Sequence, residues 1–73
     1  GSGAGPGATV IDLNTADAAT LDGLPGVGPV LAERIVDWRT EHGRFTSVEE
    51  LAEVSGIGDK VLSQLRDKVR VGP

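Results

Sequence analysis

The residues of this chain best suited to chemistry are two triplets, Gly26-Val27-Gly28 and Gly56-Ile57-Gly58. Each sits in the same setting of apolar, x, Gly, apolar, Gly: "LPGVG" from Leu24 and "VSGIG" from Val54. A glycine pair around one apolar residue lets the backbone turn sharply, with φ > 0 open to each glycine, while Val27 or Ile57 plugs a core. A helix is predicted directly after each turn. Its first amide N–H groups have no intrahelical acceptor and point outward together with the positive end of the helix dipole. That is an anion site, and a phosphate oxygen can approach it because no Cβ stands in the way. Two such sites related by a pseudo-two-fold face two phosphates, as on the strands flanking one groove of a duplex. Contacts of this kind position a protein without reading base sequence. A single Gly-x-Gly turn is more often only a tight connection, and the turn requires its glycines whether or not anything binds. The second, matched copy is what tips the reading toward binding.

The elements that must hold these turns can be read on either side of them. Asp17 is a good N-cap for a short first helix over Ala18 to Asp22. Pro29 stands at the first position of a second helix reaching His42, and Leu31, Ile35 and Trp38 give it one apolar stripe. Gly43 is a C-terminal stop, after which Phe45 folds back onto the core. Ser47 and Glu50 form a capping box for a third helix ending near Glu53. Val61, Leu65 and Val69 recur at intervals of four on a last helix expected from Asp59 to Lys68. The fold class expected is all-α: two helix, hairpin, helix units, four main helices in all, around one small core. At an offset of thirty, Asp17 matches Ser47, Leu21 matches Leu51, Leu24 matches Val54 and Ile35 matches Leu65. Caps, apolar positions and glycines thus repeat together, and neither half alone buries enough to stand.

The chain has 73 residues, 38% of them hydrophobic, enough for one small domain. Residues 1–8, "GSGAGPGA", offer nothing to a core and read as a flexible linker, the first two residues also fitting an expression scar; the domain is expected over 9–73. No apolar run approaches the roughly 20 residues of a membrane span. Cysteine is absent and His42 is the only histidine, so neither a disulfide nor a thiolate metal site can form. The acids are scattered and no Ser has a paired base, so no catalytic constellation is legible and no cofactor is expected.

Seven basic against eleven acidic residues give a net charge of −4, the reverse of the usual balance in a DNA-binding domain. The distribution is uneven: residues 1–43 carry two bases and six acids, residues 44–73 five of each. Lys60, Arg66, Lys68 and Arg70 are expected to form a localised positive edge, with micromolar affinity and a salt slope of about 3 or 4 neutralised phosphates. For Arg66 to Arg70 the plain alternative is a solvated helix end that complements the dipole. Lys60 at a helix N-terminus has no such explanation. Arg34 and Arg39, beside Glu33, Asp37 and Glu41, are expected to ion-pair on a solvated helix face, with Arg34 and its repeat partner Gln64 still within reach of a phosphate. Trp38 and Phe45 are expected to pack in the core, Asn14 to bond within a local turn, and His42 to meet the last helix carbonyls.

"IDLNTADAATL", "LPGVGPVLAERIVDWR", "HGRFTSVEEL" and "VSGIGDKVL", in this order and spacing, resemble a tandem helix-hairpin-helix domain, and more closely the C-terminal DNA-binding domain of the ComEA-type competence receptor, over residues 10 to 71. The resemblance implies sequence-independent binding of double-stranded DNA in a receptor that takes up external DNA for transformation. It also implies a place in the cell envelope, at the outer face of the cytoplasmic membrane or in the periplasm, near the uptake machinery. Carried over by position, Gly26, Val27 and Gly28 form the first phosphate-binding hairpin and Gly56, Ile57 and Gly58 the second. Lys60 takes the basic place two residues after the last hairpin glycine. Its equivalent in the first copy is Val30, so that hairpin must hold phosphate by amides alone. Arg34, Gln64 and Arg66 are further possible contacts. Two other readings stand beside this one: an accessory domain of a DNA repair enzyme, and a protein-interaction module that has lost DNA binding.

Overall fold

The structure, a computed structural model, describes residues 10–72. The expected linker over 1–8 lies outside them. In chain order the elements are β1 (Ile11–Asp12), α1 (Ala18–Asp22), α2 (Pro29–His42), a 3₁₀ helix (Val48–Glu53), α3 (Asp59–Leu65) and β2 (Val69–Arg70). The first unit packs α1 on α2, and the second packs the 3₁₀ helix on α3. Helices dominate, as an all-α fold requires, with one two-stranded addition.

Local chemistry sets most of the boundaries. The Asp17 carboxylate accepts from the Thr20 amide at 2.9 Å and opens α1. That bond from the Thr20 backbone holds the Asp17 carboxyl below the usual carboxylate range. Pro29 begins α2, where its missing N–H costs nothing, and Gly43 ends it at φ 91°, a left-handed conformation that a β-carbon would strain. The Glu50 carboxylate reaches back to the amides of Thr46 (2.6 Å) and Ser47 (3.3 Å), fixing the entry of the 3₁₀ helix. The Thr46 amide is the main cause of a lowered Glu50 pKa. His42 bonds to the Trp38 carbonyl through Nδ1 at 2.9 Å, in keeping with its place at a helix end.

One core joins the two units. Leu21, Leu24, Val27 and Ile35 from the first meet Leu51, Val54, Ile57, Leu62 and Leu65 from the second, with Leu13, Phe45 and Val69 completing it. Phe45 is fully enclosed, and the half-buried Trp38 is stacked between it (ring centroids 4.4 Å apart) and His42 (4.0 Å). Both aromatics therefore belong to packing, as expected.

The last helix is shorter than its periodicity predicts. It ends at Leu65, and Val69 reaches the core from β2, not from a helix. The spacing of four misleads because Lys68 turns the chain, its amide bonding back to the Leu65 carbonyl at 2.7 Å. Strand β2 then pairs in parallel with β1, Ile11 opposite Val69 and Asp12 opposite Arg70. The two ends of the domain are thereby tied together. Gly72 completes the closure: its amide donates to the Asp12 carboxylate and its carbonyl accepts from Arg44 Nη2 at 2.6 Å.

Two further expectations are corrected. Asn14 does not serve only a local turn: its side chain donates to the Phe45 carbonyl (2.9 Å) and accepts from the Phe45 amide (2.6 Å), as a neighbouring strand would. Its backbone amide makes the local bond instead, to the Asp12 carboxylate. Arg39 does not ion-pair along α2; its Nη1 donates to the carbonyls of Leu13 (2.9 Å) and Ala16 (2.7 Å). The half-buried stem of Arg39 thus delivers a charged donor to carbonyls that no secondary structure satisfies.

Candidate nucleic-acid interface

The two hairpins have the same backbone. Leu24 and Val54 accept from the amides of Val27 and Ile57, each at 3.1 Å, and the carbonyls of Gly28 and Gly58 accept the first helical bonds, from Ala32 and Leu62, each at 2.9 Å. Val27 and Ile57 are buried, as plugs must be. Among the described residues, the amides of Gly26, Gly28, Gly56 and Gly58 make no hydrogen bond within the chain. They flank the bonded amide of the plug, and the unpaired N–H groups of the next helical turn follow them, three after Gly58 but two after Gly28 because Pro29 has none.

Only the first glycine of each pair needs positive φ. Gly26 lies at φ 78° and Gly56 at 98°, whereas Gly28 and Gly58 are extended, at −100° and −99°, a conformation open to any residue. The expectation that each glycine uses left-handed freedom therefore holds for one of each two. The second glycine has no packing reason either, since a β-carbon on Gly28 or Gly58 meets no atom within 4 Å. It would project into open space beside the free amides. Each second glycine is the N-cap of the following helix, a place it shares in preference with Ser, Thr, Asp and Asn, and of these it alone leaves the backbone bare on its outer side.

The first glycines are explained by the other unit. A β-carbon on Gly26 would stand 3.2 Å from Gln64 Oε1 and 3.6 Å from Val61 Cγ1, both on α3. One on Gly56 would stand 2.5 Å from Leu31 Cδ2 and 3.0 Å from Arg34 Nη1, both on α2. Each hairpin thus leans on the helix of its neighbour, and the residues that receive it, Leu31 and Arg34 or Val61 and Gln64, are repeat equivalents.

The bases are less clustered than the sequence suggests. Lys60 is exposed at the hairpin end of α3, while Arg66, Lys68 and Arg70 follow its other end, about 10 Å away for a helix of this length. The single positive edge is therefore divided. Arg66 is bound to Glu49 at 2.9 Å, with both side chains more than half exposed. Arg34, in place of an ion pair on α2, donates to the Ser55 carbonyl at 3.1 Å. Val30, the counterpart of Lys60, is an exposed apolar side chain. Sequence reasoning kept Arg34 with its own helix; the offset of thirty could have signalled the crossing only if the reciprocal packing of the units were known.

Among the described residues no group of His, Asp and Glu is arranged to hold a metal ion, and no helix is long and apolar enough to cross a membrane. A shallow groove of about 210 Å³ lies between α1 and the start of α2, lined by Ala18, Ala19, Asp22, Pro29, Ala32 and Glu33.

The hairpin geometry, duplicated in order along one chain, coincides with a family match: the model of the helix-hairpin-helix motif covers residues 7–70. The chain belongs to the helix-hairpin-helix family. It is similar to ComE operon protein 1 of Bacillus subtilis (strain 168), with 41% identity over 96% of this chain and 34% of that protein. An uncharacterized protein of Haemophilus influenzae is 42% identical over 81% of this chain and 54% of its own length. Endonuclease/exonuclease/phosphatase family domain-containing protein 1 of Homo sapiens is 41% identical over 81% of this chain and 10% of its own. The chain thus spans between a tenth and about half of these relatives. The module recurs in proteins of very different size.

Proposed function

We propose that this helix-hairpin-helix domain binds double-stranded DNA without sequence preference, through the free backbone amides of Gly26 and Gly28 and of Gly56 and Gly58, held in place by the plugs Val27 and Ile57, with Lys60 beside them. The observation that carries the reading is the second glycine of each hairpin. Gly28 and Gly58 are extended and uncrowded, so their lack of a side chain serves approach from outside, and the amides left without partners supply the donors. Two copies face two phosphates. Binding in this manner touches the sugar-phosphate backbone, not the base edges, and carries no sequence information. The domain has no catalytic part in this reading; it positions nucleic acid.

The larger setting is DNA uptake in natural competence, with the parent protein at the cell envelope, facing the outside of the cytoplasmic membrane or the periplasm. The support is the similarity to ComE operon protein 1, which extends over 96% of the chain and so takes in most of the glycine-rich residues before the domain.

The test is binding of a labelled duplex of about 20 base pairs as a function of salt, for the wild type and for Lys60→Glu. Affinity that falls with salt and is lost in the variant supports the assignment. No binding at low salt by a folded domain refutes it.

A further inference from the structure

The reciprocal packing of the two units distributes their side chains unequally. At the second hairpin, the opposite unit contributes Arg34, whose Nη1 lies 3.1 Å from the Ser55 carbonyl and 3.0 Å from the β-carbon position of Gly56. The hairpin's own helix contributes Lys60. At the first hairpin the equivalent places are taken by Gln64, 3.2 Å from the β-carbon position of Gly26, and by Val30. Of the four positions, both cations fall at one hairpin and both neutral groups at the other. Each unit carries one residue of either kind, so the inequality is invisible along the chain and arises only because the units cross.

We propose that the two hairpins are not equivalent phosphate sites: the second is the anchoring site, and Arg34 of the first unit is one of its binding residues. The inference rests on the DNA-binding reading above. A guanidinium carries five N–H donors in a planar fork, and the contact to Ser55 uses one of them. That bond fixes the fork at the rim of the hairpin. The remaining donors are free for the phosphate whose oxygens the Gly56 and Gly58 amides take. Arg34 makes no ion pair among the described residues, and Glu33 and Asp37, its acidic neighbours on α2, are exposed to solvent. The first hairpin, facing Gln64 and Val30, contributes amides alone. The domain therefore lands on one strand through the second hairpin and makes the weaker contact with the first.

The salt dependence of duplex binding tests this, because each phosphate neutralised by a cation adds about 0.9 to the slope of log K against log salt. Arg34→Gln, which gives the second hairpin the brace of the first, lowers the slope by about 0.9; between about 50 and 200 mM salt it loses roughly 3.5-fold less affinity than the wild type. Arg34→Lys keeps the slope, since charge is what the slope counts. In the opposite direction, Val30→Lys with Gln64→Arg equips the first hairpin like the second and steepens the slope by up to about 1.8, roughly 12-fold more loss over the same range. Thermal melting of each variant confirms that folded protein is compared. Duplex binding by Arg34→Gln with the wild-type slope overturns this inference and leaves the DNA-binding reading standing. No duplex binding by the folded wild type at low salt overturns both.

Discussion

The four hairpin glycines should separate into two whose replacement costs the fold and two whose replacement, its small capping loss offset, costs chiefly the ligand. Gly56→Ala places a methyl group at φ 98°, where an L residue is disfavoured by about 1–2 kcal/mol, and 2.5 Å from Leu31 Cδ2, where overpacking adds typically 1–3 kcal/mol. The unfolded chain loses freedom too, which returns about 0.4–1 kcal/mol. The net cost is about 1–4.5 kcal/mol, centred near 3. Gly26→Ala has the same torsional cost at φ 78°, but its nearest neighbour is the end of the Gln64 side chain at 3.2 Å, which can yield, so about 1 kcal/mol is expected. Gly58→Ala and Gly28→Ala stay extended and meet nothing. Their loss as helix caps and the smaller freedom of the unfolded chain are each of order 0.5–1 kcal/mol and opposite in sign, leaving almost no change.

In a domain of this size each kcal/mol moves the melting temperature by about 4–8 °C. Thermal unfolding followed by circular dichroism should therefore show Gly56→Ala lower by more than about 10 °C at its central cost, Gly26→Ala by about 4–8 °C, and Gly58→Ala unmoved. Duplex affinity reverses the order for the second hairpin: Gly58→Ala binds more weakly although fully folded, because its methyl group stands where the phosphate must come. A Gly58→Ala protein that melts like Gly56→Ala, or that melts and binds like the wild type, would refute the assignment of this glycine to the ligand.

Other outcomes follow from single contacts. Arg39→Ala should cost about 2 kcal/mol or more, since hydrogen bonds from a charged donor contribute about 1.5–3 kcal/mol each and two carbonyls lose theirs; chemical denaturation measures it. The Asp17 and Glu50 carboxyls have lowered pKa values in the folded domain, from backbone bonds to Thr20 and Thr46 respectively. Their stabilisation is complete above the ordinary carboxylate value of about 4 and is lost as pH falls through the lower folded values. Stability measured between about pH 6 and 2 should decline in that window, and Asp17→Asn, which can still cap, should decline less.

The helices were legible because their signals are local. Asp17, Pro29, Gly43 and the Ser47–Glu50 pair each mark a boundary by chemistry that operates within four residues, and α1 and α2 have the expected bounds. The offset of thirty revealed that the units repeat. What was not legible is everything that depends on where one unit meets the other or where the chain closes. Asn14 meets Phe45 across 31 residues, Arg39 meets Leu13 across 26, and β1 pairs with a segment whose period of four looked helical. The site divides along the same line. Val27, Ile57 and the glycine turns were readable from residue type, whereas the division of labour within each glycine pair required the torsions.

Net charge is a poor guide to the hairpins for a related reason. Glu33, Asp37 and Glu41 recur every fourth residue on α2 and are all exposed, and the sequence assigned their neutralisation to the neighbouring arginines. The fold withdraws both: Arg39 crosses to the Leu13 and Ala16 carbonyls and Arg34 to the second hairpin. The acids stay unscreened, and the cation they might have held stands beside Gly56. Within a domain of net charge −4, Lys60 and Arg34 stand at the second hairpin while an acidic ridge runs along α2. At an ionic strength of about 0.1 M, fields fade within about 10 Å, less than the described domain's shortest dimension of 20 Å. Within that range a phosphate responds to the charges around the hairpin it approaches, and the total for the chain decides little.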